Sequence, residues 1–345
     1  MTARAGSTDA DVLVVGGGPI GLVAAIEARL AGLTAIVLEP RTGPIEKACG
    51  EGLMPGALPL LARLGVDPEG AELAGVSYRT PRVTVDHRFR SGAGRGVRRE
   101  VLHAALEERA LAVGVEFVRR RVEGIEQSDA GVAAAGLRGS WLFGCDGLHS
   151  SVRRVLGVER GVPARGRRFG IRQHFELAPW TDLIEVHWTP TAEVYVTPVG
   201  SDLVGVAVLG PARTDFEATV RGVAVLNDRL GDARPADDVR GAGPFRQRAT
   251  RVRAGRVLLV GDASGYVDAI TGEGLRLGFE QARAAVAAVT GGPGYEREWR
   301  RITRPFRTLT GGLVLAASSP LRGAIVPLAA RAPGLYGAVV ERLAR

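Results

Sequence analysis

The apolar positions at the start of the chain fall into two short runs on either side of a helical segment. The run 11–15 leads directly into glycines and predicts a short buried strand. Apolar residues in 19–30 recur at helical spacing, and 35–38 is a second apolar run. A strand, a glycine-rich turn, a helix and a strand within about 30 residues form a βαβ unit, which implies a parallel sheet.

The pattern changes twice farther along the chain. Helical spacing over 98–113 and apolar runs at 115–118 and 141–145 continue the first pattern. Short alternating segments separated by turn residues then predict an antiparallel sheet, with strands at 169–177, 183–188, 193–197 and 203–209. A buried strand at 257–260 and a long helix at 273–289 return to the first pattern, and the remaining segments are helical and broken by prolines.

These elements predict an α/β protein whose two domains share one chain by interruption. A Rossmann-like dinucleotide-binding domain takes residues 1–160 and 250–295, with an excursion at about 60–97. A mainly antiparallel β-sheet domain is inserted at 161–249, and 296–345 form a helical C-terminal tail. We expect the inserted domain to hold the substrate.

Composition excludes several classes of protein. Of 345 residues, 46% are hydrophobic and 24% charged, which excludes a disordered protein, a collagen and a coiled coil. The net charge of +8 comes almost entirely from arginines spread along the chain, so we predict no nucleic-acid partner. Cys49 and Cys145 are expected to be free thiols of a cytoplasmic protein. We expect neither a leader peptide nor a membrane span, and five scattered histidines predict no metal site.

The first chemical signal is the G-x-G-x-x-G pattern of Gly16, Gly18 and Gly21 between a predicted strand and helix. Gly16 permits the tight turn, Gly18 lets a pyrophosphate approach the backbone, and Gly21 lets the helix pack on the strand. Pro19 and Ile20 begin the helix, whose free N–H groups favour phosphate. Glu39 ends the second strand, where a carboxylate accepts hydrogen bonds from ribose hydroxyls.

Two later motifs identify the dinucleotide. Residues 144–153, Gly-Cys-Asp-Gly-Leu-His-Ser-Ser-Val-Arg, and 261–265, Gly-Asp-Ala-Ser-Gly, each follow a predicted strand. Together with 268–275, Arg99-x-x-Leu102 and the loop 47–53, they resemble the flavoprotein monooxygenases of the para-hydroxybenzoate hydroxylase type and their relatives, the geranylgeranyl reductases. The resemblance covers nearly the whole chain, and it implies that the Rossmann-like domain binds FAD.

The resemblance assigns further residues to FAD. Asp262 would accept a hydrogen bond from the ribityl chain, and the helix that begins near Gly272 and Gly274 would point at the flavin pyrimidine edge, where its N–H groups favour reduction. The other residues expected to bind FAD through the phosphates, the adenosine or the flavin edge are Arg41, Cys49, Gly50, Arg99, Val122, Asp146, Gly147, Gly261 and Leu275.

No catalytic base emerges from the sequence. The resemblance places the antiparallel sheet over the flavin, so Cys49, His174, His187 and Tyr195 are candidates to line the substrate pocket. A structural cysteine and histidines on the outer face of the sheet are the alternatives.

The resemblance implies a monooxygenase in which NAD(P)H reduces FAD and a flavin C4a-hydroperoxide hydroxylates an aromatic or polyketide-like substrate. Gly265 and Ala269 depart from the hydroxylase pattern, and Thr271-Gly272-Glu273-Gly274 supports the alternative, reduction of a carbon–carbon double bond in an isoprenoid or lipid. Without a second G-x-G-x-x-G unit, NAD(P)H would bind transiently or a partner reductase would supply electrons. The apolar tail would pack in the core, cover a lipid-like substrate or touch a membrane surface; the oligomeric state stays open.

Overall fold

The computed structural model describes residues 8–163 and 166–345, so the ends of the predicted domains at 1–7 and the pair 164–165 lie outside the described residues. The predicted βαβ unit is present at the start of the chain, because strand Ala10–Val15 pairs in parallel with Ala35–Leu38 and helix Pro19–Leu30 connects them. All three elements are almost completely buried. Val14 on the first strand and Leu22 on the helix pack in the same core cluster.

The first sheet has eight strands, which confirms a mainly parallel Rossmann-like arrangement. Six of them are hydrogen-bonded neighbours in the order Arg253–Ala254, Val257–Leu259, Leu137–Gly144, Ala10–Val15, Ala35–Leu38 and Glu116–Val118. A hairpin of Ile125–Ser128 and Gly131–Ala134 extends from Leu137–Gly144. Helices Pro19–Leu30, Arg99–Ala112 and Gly274–Val289 share the core cluster on one face of this sheet.

The second sheet also has eight strands and is antiparallel apart from one parallel pair. Its hydrogen-bonded order is Arg234–Pro235, Arg168–Glu176, Leu203–Pro211, Glu193–Pro198, Leu183–Trp188, Gly75–Arg79 and Thr84–Arg88, with Arg240–Ala242 paired to Arg168–Glu176. The strands Gly75–Arg79 and Thr84–Arg88 belong to the excursion that the sequence placed with the first domain. They complete the second sheet because Gly75–Arg79 pairs in parallel with Leu183–Trp188.

Smaller elements connect the two sheets. Two three-stranded sheets are formed by Glu159–Arg160, Gln247–Ala249 and Gly265–Tyr266, and by Gly52–Leu53, Gly94–Gly96 and Ala71–Leu73. Short helices and 3₁₀ turns lie at Pro55–Ala57, Leu58–Arg63, Ser151–Val155, Phe216–Arg221, Ala224–Leu230 and Gly261–Ser264. Residues of both small sheets, such as Gly52 and Tyr266, line the same cavity as residues of the two large sheets.

The tail is helical, as predicted, with elements at Tyr295–Ala317, Pro320–Ala324, Ile325–Arg331 and Pro333–Ala344. Pro320 and Pro333 begin elements, but Pro305 and Pro327 lie inside helices and do not break them, contrary to the expectation. Among residues 8–163 and 166–345, no single helix is long and apolar enough to cross a membrane. Helix Tyr295–Ala317 and the segment Pro320–Arg331 pass that test only as a pair, and they are bent by 99° relative to each other.

Candidate functional site

The glycine-rich turn has the geometry that a bound pyrophosphate requires. Gly16 has a φ of +102°, and a Cβ at Gly21 would lie 1.8 Å from the Gly16 carbonyl oxygen, so both positions need glycine for packing. A Cβ at Gly18 would meet nothing within 4 Å. Gly18 therefore borders open space at the first turn of helix Pro19–Leu30, where free N–H groups can bind phosphate oxygens.

Glu39 is held where the resemblance places the adenosine ribose. Its Oε2 accepts a hydrogen bond from the Gly17 N–H at 2.9 Å, and its Oε1 accepts one from Arg41 Nε at 2.8 Å. Burial opposes ionisation of this carboxyl, but the hydrogen bonds from Arg41 and Gly17 outweigh burial and lower its pKa. Glu39 is therefore an ionised acceptor, and the largely exposed Arg41 side chain covers it.

One cavity of about 630 Å³ joins the glycine turn to the second sheet. Sixteen of the eighteen residues that the sequence assigned to FAD line it, among them Pro19, Ile20, Gly50, Val122, Gly147 and Leu275. The exceptions are Gly21, which packs against the first strand, and Gly261. The Gly261 N–H donates to Gln281 Oε1 at 2.8 Å, and a Cβ there would touch Ile20, so this glycine serves packing rather than cavity lining.

The cavity contains buried polar atoms that no described residue satisfies. Arg99 Nε is buried without a hydrogen-bond partner, and so is Asp146 Oδ1. The other oxygen of Asp146 accepts hydrogen bonds from the N–H groups of Ser151 and Val152, at 2.6 and 3.0 Å. An unpaired guanidinium nitrogen in the same cavity as Gly18 fits the phosphates of FAD, because burying it without an anion is costly.

Asp262 and the start of helix Gly274–Val289 also border the cavity, and this helix packs against Ile20 of the glycine-turn helix. Burial raises the pKa of Asp262, while the positive charges of Lys47, Arg99 and Arg153 act in the opposite direction. Gly272 has a φ of +70° and directs the chain into the helix N-terminus. This arrangement fits a flavin, since a ring bound with its pyrimidine edge at this helix N-terminus would find N–H groups and positive potential for the negative charge it collects on reduction.

The loop before Gly272 is fixed from the second sheet. Asp268 Oδ1 accepts the Ile270 N–H at 3.0 Å, and the Tyr195 hydroxyl donates to the Ile270 carbonyl at 2.9 Å. Tyr195 lines the cavity, but its hydroxyl is already engaged with this loop. Its observed contacts are therefore those of a positioning residue.

The second sheet supplies an apolar wall. Ile184, Val186 and Leu209 face the cavity, and Val340 and Leu343 from the last helix complete the wall. Cys49 also lines the cavity, and its Sγ accepts a hydrogen bond from the Glu51 N–H at 3.4 Å.

The two histidine candidates do not line the cavity, contrary to the expectation from the sequence. His174 is 1% exposed, with Nε2 2.5 Å from Glu51 Oε2 and Nδ1 2.7 Å from Asp237 Oδ2. Burial opposes protonation of His174, but the hydrogen bonds to Glu51 and Asp237 outweigh it and raise the pKa. His187 lies on the opposite face of its strand from Val186 and pairs with Glu185 at 2.8 Å. Both rings are covered by carboxylates.

Several cavity residues escaped the sequence reasoning. Arg172, Phe245 and Tyr266 line the cavity, as does Tyr78 from the excursion. The alternation of side chains separates the two faces of a strand, but it does not reveal which face borders the cavity. In addition, no local signal in the sequence indicated that the excursion at about 60–97 pairs with the second sheet. Within the described ranges, no group of three or more His, Cys, Asp or Glu residues could hold a metal ion.

Comparison with known proteins agrees with this site. The model of the FAD binding domain family matches residues 9–290. Rifampicin monooxygenase of Streptomyces venezuelae is 30% identical over 305 residues, which cover 79% of this chain and 62% of that protein. Digeranylgeranylglycerophospholipid reductase of Methanosarcina mazei is 28% identical over 332 residues, which cover 84% of this chain and 80% of that protein.

The fold agrees with a solved structure as well. The flavin-dependent brominase Bmp2 superimposes with a TM-score of 0.79 at 17% identity, over 97% of this chain and 93% of that one. Identity this low shows a shared fold alone. The chain spans less than two thirds of the length of rifampicin monooxygenase. The family match, which covers most of the chain, decides the assignment: the chain belongs to the FAD binding domain family.

Proposed function

We propose that this protein is a monooxygenase that hydroxylates an aromatic or polyketide-like substrate, with NAD(P)H or a partner reductase as electron source. The observation that carries the proposal is the apolar wall of Ile184, Val186 and Leu209 in the same cavity as the FAD-binding residues. Such a wall binds a planar apolar molecule and excludes water from the flavin. Rifampicin monooxygenase, named for a reaction of this class, is among the relatives.

The protein's contribution to this reaction is binding, orientation and exclusion of water. When bound, FAD supplies the electron transfer and the oxygen activation. Burial raises the pKa values of Tyr195 and Tyr266 well above the ordinary value of a tyrosine, so both phenols stay neutral at physiological pH. Neutral phenols do not act as bases. Tyr195, whose hydroxyl donates to the Ile270 carbonyl, would contact a substrate through its ring, and Tyr266 through its hydroxyl or its ring. Oxygen transfer to an activated ring places little demand on side-chain acids or bases, which suits this wall.

A second candidate is the reduction of a carbon–carbon double bond in an isoprenoid or lipid. It is favoured by Cys49, whose thiol lines the cavity beside Gly50 and Gly52 in a loop that resembles that of the geranylgeranyl reductases. Digeranylgeranylglycerophospholipid reductase is a relative named for a lipid substrate. In such a reaction a thiol near the flavin would contact the double bond or deliver a proton to it.

The two candidates differ in their need for oxygen. FAD-loaded protein is given NADH, NADPH or a reductase partner with panels of polycyclic aromatic compounds and isoprenoid lipids, in air and under argon. We expect substrate-stimulated oxygen uptake and a product that carries label from isotopically labelled dioxygen. Saturated product formed under argon would replace this proposal with the second candidate. If no electron source reduces the flavin with any substrate, both proposals fail.

The apolar wall provides a matched pair of variants. Val186→Phe places a larger side chain on the apolar wall and narrows the cavity, but it does not touch the glycine-rich turn. We therefore expect FAD to bind normally while the KM for substrate rises. Val239→Phe makes the same substitution at a position that is 50% exposed, and it should leave the KM unchanged. Equal effects of the two variants would argue against binding at this wall.

A further inference from the structure

The tail has an unusual charge pattern that the FAD site does not explain. Residues 299–340 contain six arginines and no aspartate or glutamate. The chain as a whole has 37 acidic residues among 345, so a stretch of this length would ordinarily carry several. The tail is therefore cationic. Arg301 pairs with Glu298 and the buried Arg322 pairs with Glu193, which leaves four of the six arginines without an acidic partner among the described residues.

Helix Tyr295–Ala317 has one face buried against the core and carries arginines on its exposed face. Its buried positions, including Ile302, Phe306 and Thr310, follow one face at helical spacing. Arg300 and Arg304 are exposed on the opposite face, and neither forms an ion pair with any described residue.

The same outer stripe ends in an apolar residue. Leu315 follows Arg304 by eleven residues, three turns of helix, and it therefore lies above the arginines on the outer face. It is 73% exposed.

Leu315 is the first of four exposed leucines in consecutive parts of the tail. Leu321, Leu328 and Leu335 are 67%, 58% and 68% exposed. The other exposed large apolar side chains among the described residues are scattered over four helices and one loop from residue 30 to 239. Single exposed apolar residues need no explanation, but four within 21 residues indicate a surface that contacts something apolar.

The basic surface continues beyond the tail. Arg307 stacks over Trp299. It lies near Arg248, in strand Gln247–Ala249, and near Arg246, the residue before that strand. Arg248 is the direct cross-strand partner of Arg160, an arrangement of like charges that destabilises a sheet. Burial and the charges of Arg248 and Arg246 lower the pKa of Arg307. An anionic surface would relieve this repulsion.

We propose that the tail, through Arg300, Arg304 and the four exposed leucines, docks the protein on an anionic lipid bilayer. In this arrangement the leucines enter the boundary between headgroups and acyl chains, and the arginines bind lipid phosphates. The combination of a basic stripe and exposed leucines is typical of interfacial binding, in which the protein lies on the membrane and does not cross it.

The position of the cavity relative to the tail agrees with docking on a lipid bilayer. The last helix, Pro333–Ala344, presents Leu335 in its first turn, and Val340 and Leu343, which follow one to two turns later, line the cavity. A bilayer bound at Leu335 would therefore lie within about 12 Å, along the helix axis, of the side chains that complete the apolar wall. A second copy of the chain fits less well, because symmetric pairing would bring the same arginines together without acids to neutralise them.

The test is sedimentation of FAD-loaded protein with vesicles, and it needs no turnover, so its outcome is independent of the reaction proposed above. We expect binding to vesicles of phosphatidylcholine and phosphatidylglycerol in equal parts, and much weaker binding to phosphatidylcholine alone. Arg300→Gln with Arg304→Gln should weaken binding to the anionic vesicles by about 30-fold, at about fivefold for each arginine near the surface. Leu315→Ser with Leu321→Ser should weaken it by about tenfold or more.

Matched substitutions elsewhere separate docking from general charge or hydrophobicity. Arg82→Gln with Arg138→Gln removes two exposed arginines outside the tail, and Leu111→Ser removes a leucine that is 59% exposed. Both control variants should bind vesicles like the unaltered protein, and the flavin absorbance of every variant reports its folding. No binding to anionic vesicles, or equal losses in tail and control variants, would overturn the proposal. A dimer that the tail leucine variant dissociates would also overturn it, by assigning the surface to a second copy.

Discussion

Arg168 Nε lies 3.0 Å from Asp268 Oδ2, and this buried ion pair joins the first long strand of the second sheet to the loop before Gly272. The same guanidinium contacts Glu193 at 2.5 Å, and Arg322 from the tail contacts Glu193 at 2.6 Å. All four side chains are at most 9% exposed. The second sheet, the loop before Gly272 and the tail thus meet in one cluster of alternating charges.

Removing Arg168 is expected to destabilise the whole protein. Arg168→Met leaves Asp268 without a cation, and breaking a buried pair on one side costs about 3–5 kcal/mol. Urea unfolding of the FAD-loaded protein measures this loss. Arg88→Met breaks an exposed pair with Asp182 and should leave the free energy of unfolding unchanged. If both variants were as stable as the unaltered protein, the cluster would have no structural role.

Gly18 should matter for FAD and not for folding. A Cβ at Gly18 has free space in the protein alone, so Gly18→Ala is expected to fold normally but to bind FAD at least about tenfold more weakly, because the methyl group occupies the approach of the pyrophosphate. Equilibrium titration of the apoprotein with FAD measures the affinity.

Two other glycines serve as controls for this substitution. Gly124→Ala, also in open space and outside the cavity lining, should bind FAD normally. Gly21→Ala should destabilise the fold itself, because its Cβ would collide with the Gly16 carbonyl. Normal FAD affinity in Gly18→Ala would contradict the assignment of the turn.

Arg99 is expected to bind a phosphate of FAD. Its buried, unpartnered Nε gains a charged hydrogen bond on binding, so Arg99→Gln should weaken FAD affinity by about ten- to a hundredfold, or about 1.5–3 kcal/mol. Arg98→Gln is the adjacent control, since Arg98 pairs with Glu100 and does not line the cavity. Isothermal titration of both variants with FAD decides the point, and an equal loss in both would indicate a general charge effect.

Local signals made the first domain predictable from sequence. Helix Pro19–Leu30 and strand Ala35–Leu38 have the predicted bounds, because glycine and proline fix where they begin and end. The role of strand Gly75–Arg79 was not predictable, since its parallel partner, Leu183–Trp188, lies more than 100 residues away. Pairing at that separation leaves no local trace in the pattern.

The candidate site likewise combines features that local sequence predicts with features that depend on residues far apart in the chain. Most residues that the motifs and the family resemblance assigned to FAD line one cavity, because the motifs are local in the sequence. The histidine candidates fail because alternation alone does not reveal that Glu51 and Asp237 enclose His174 from two other parts of the chain. Glu51 has a φ of +58°, unusual for a residue other than glycine, and nothing in the sequence indicates it.

Glu273 makes stability depend on pH. Burial raises its pKa from 4.5 to about 7, although Arg276 opposes the shift. Between these values the folded protein holds a proton that the unfolded chain has lost, so stability falls as pH rises through this window. Glu273→Gln removes the titration, and Arg276 keeps Glu280 as a partner at 2.5 Å. The variant should therefore gain stability over the unaltered protein as pH rises, reaching about 3 kcal/mol by pH ~8. Urea unfolding at a series of pH values, with Glu280→Gln as control, measures this gain; a difference that does not change with pH would contradict the raised pKa.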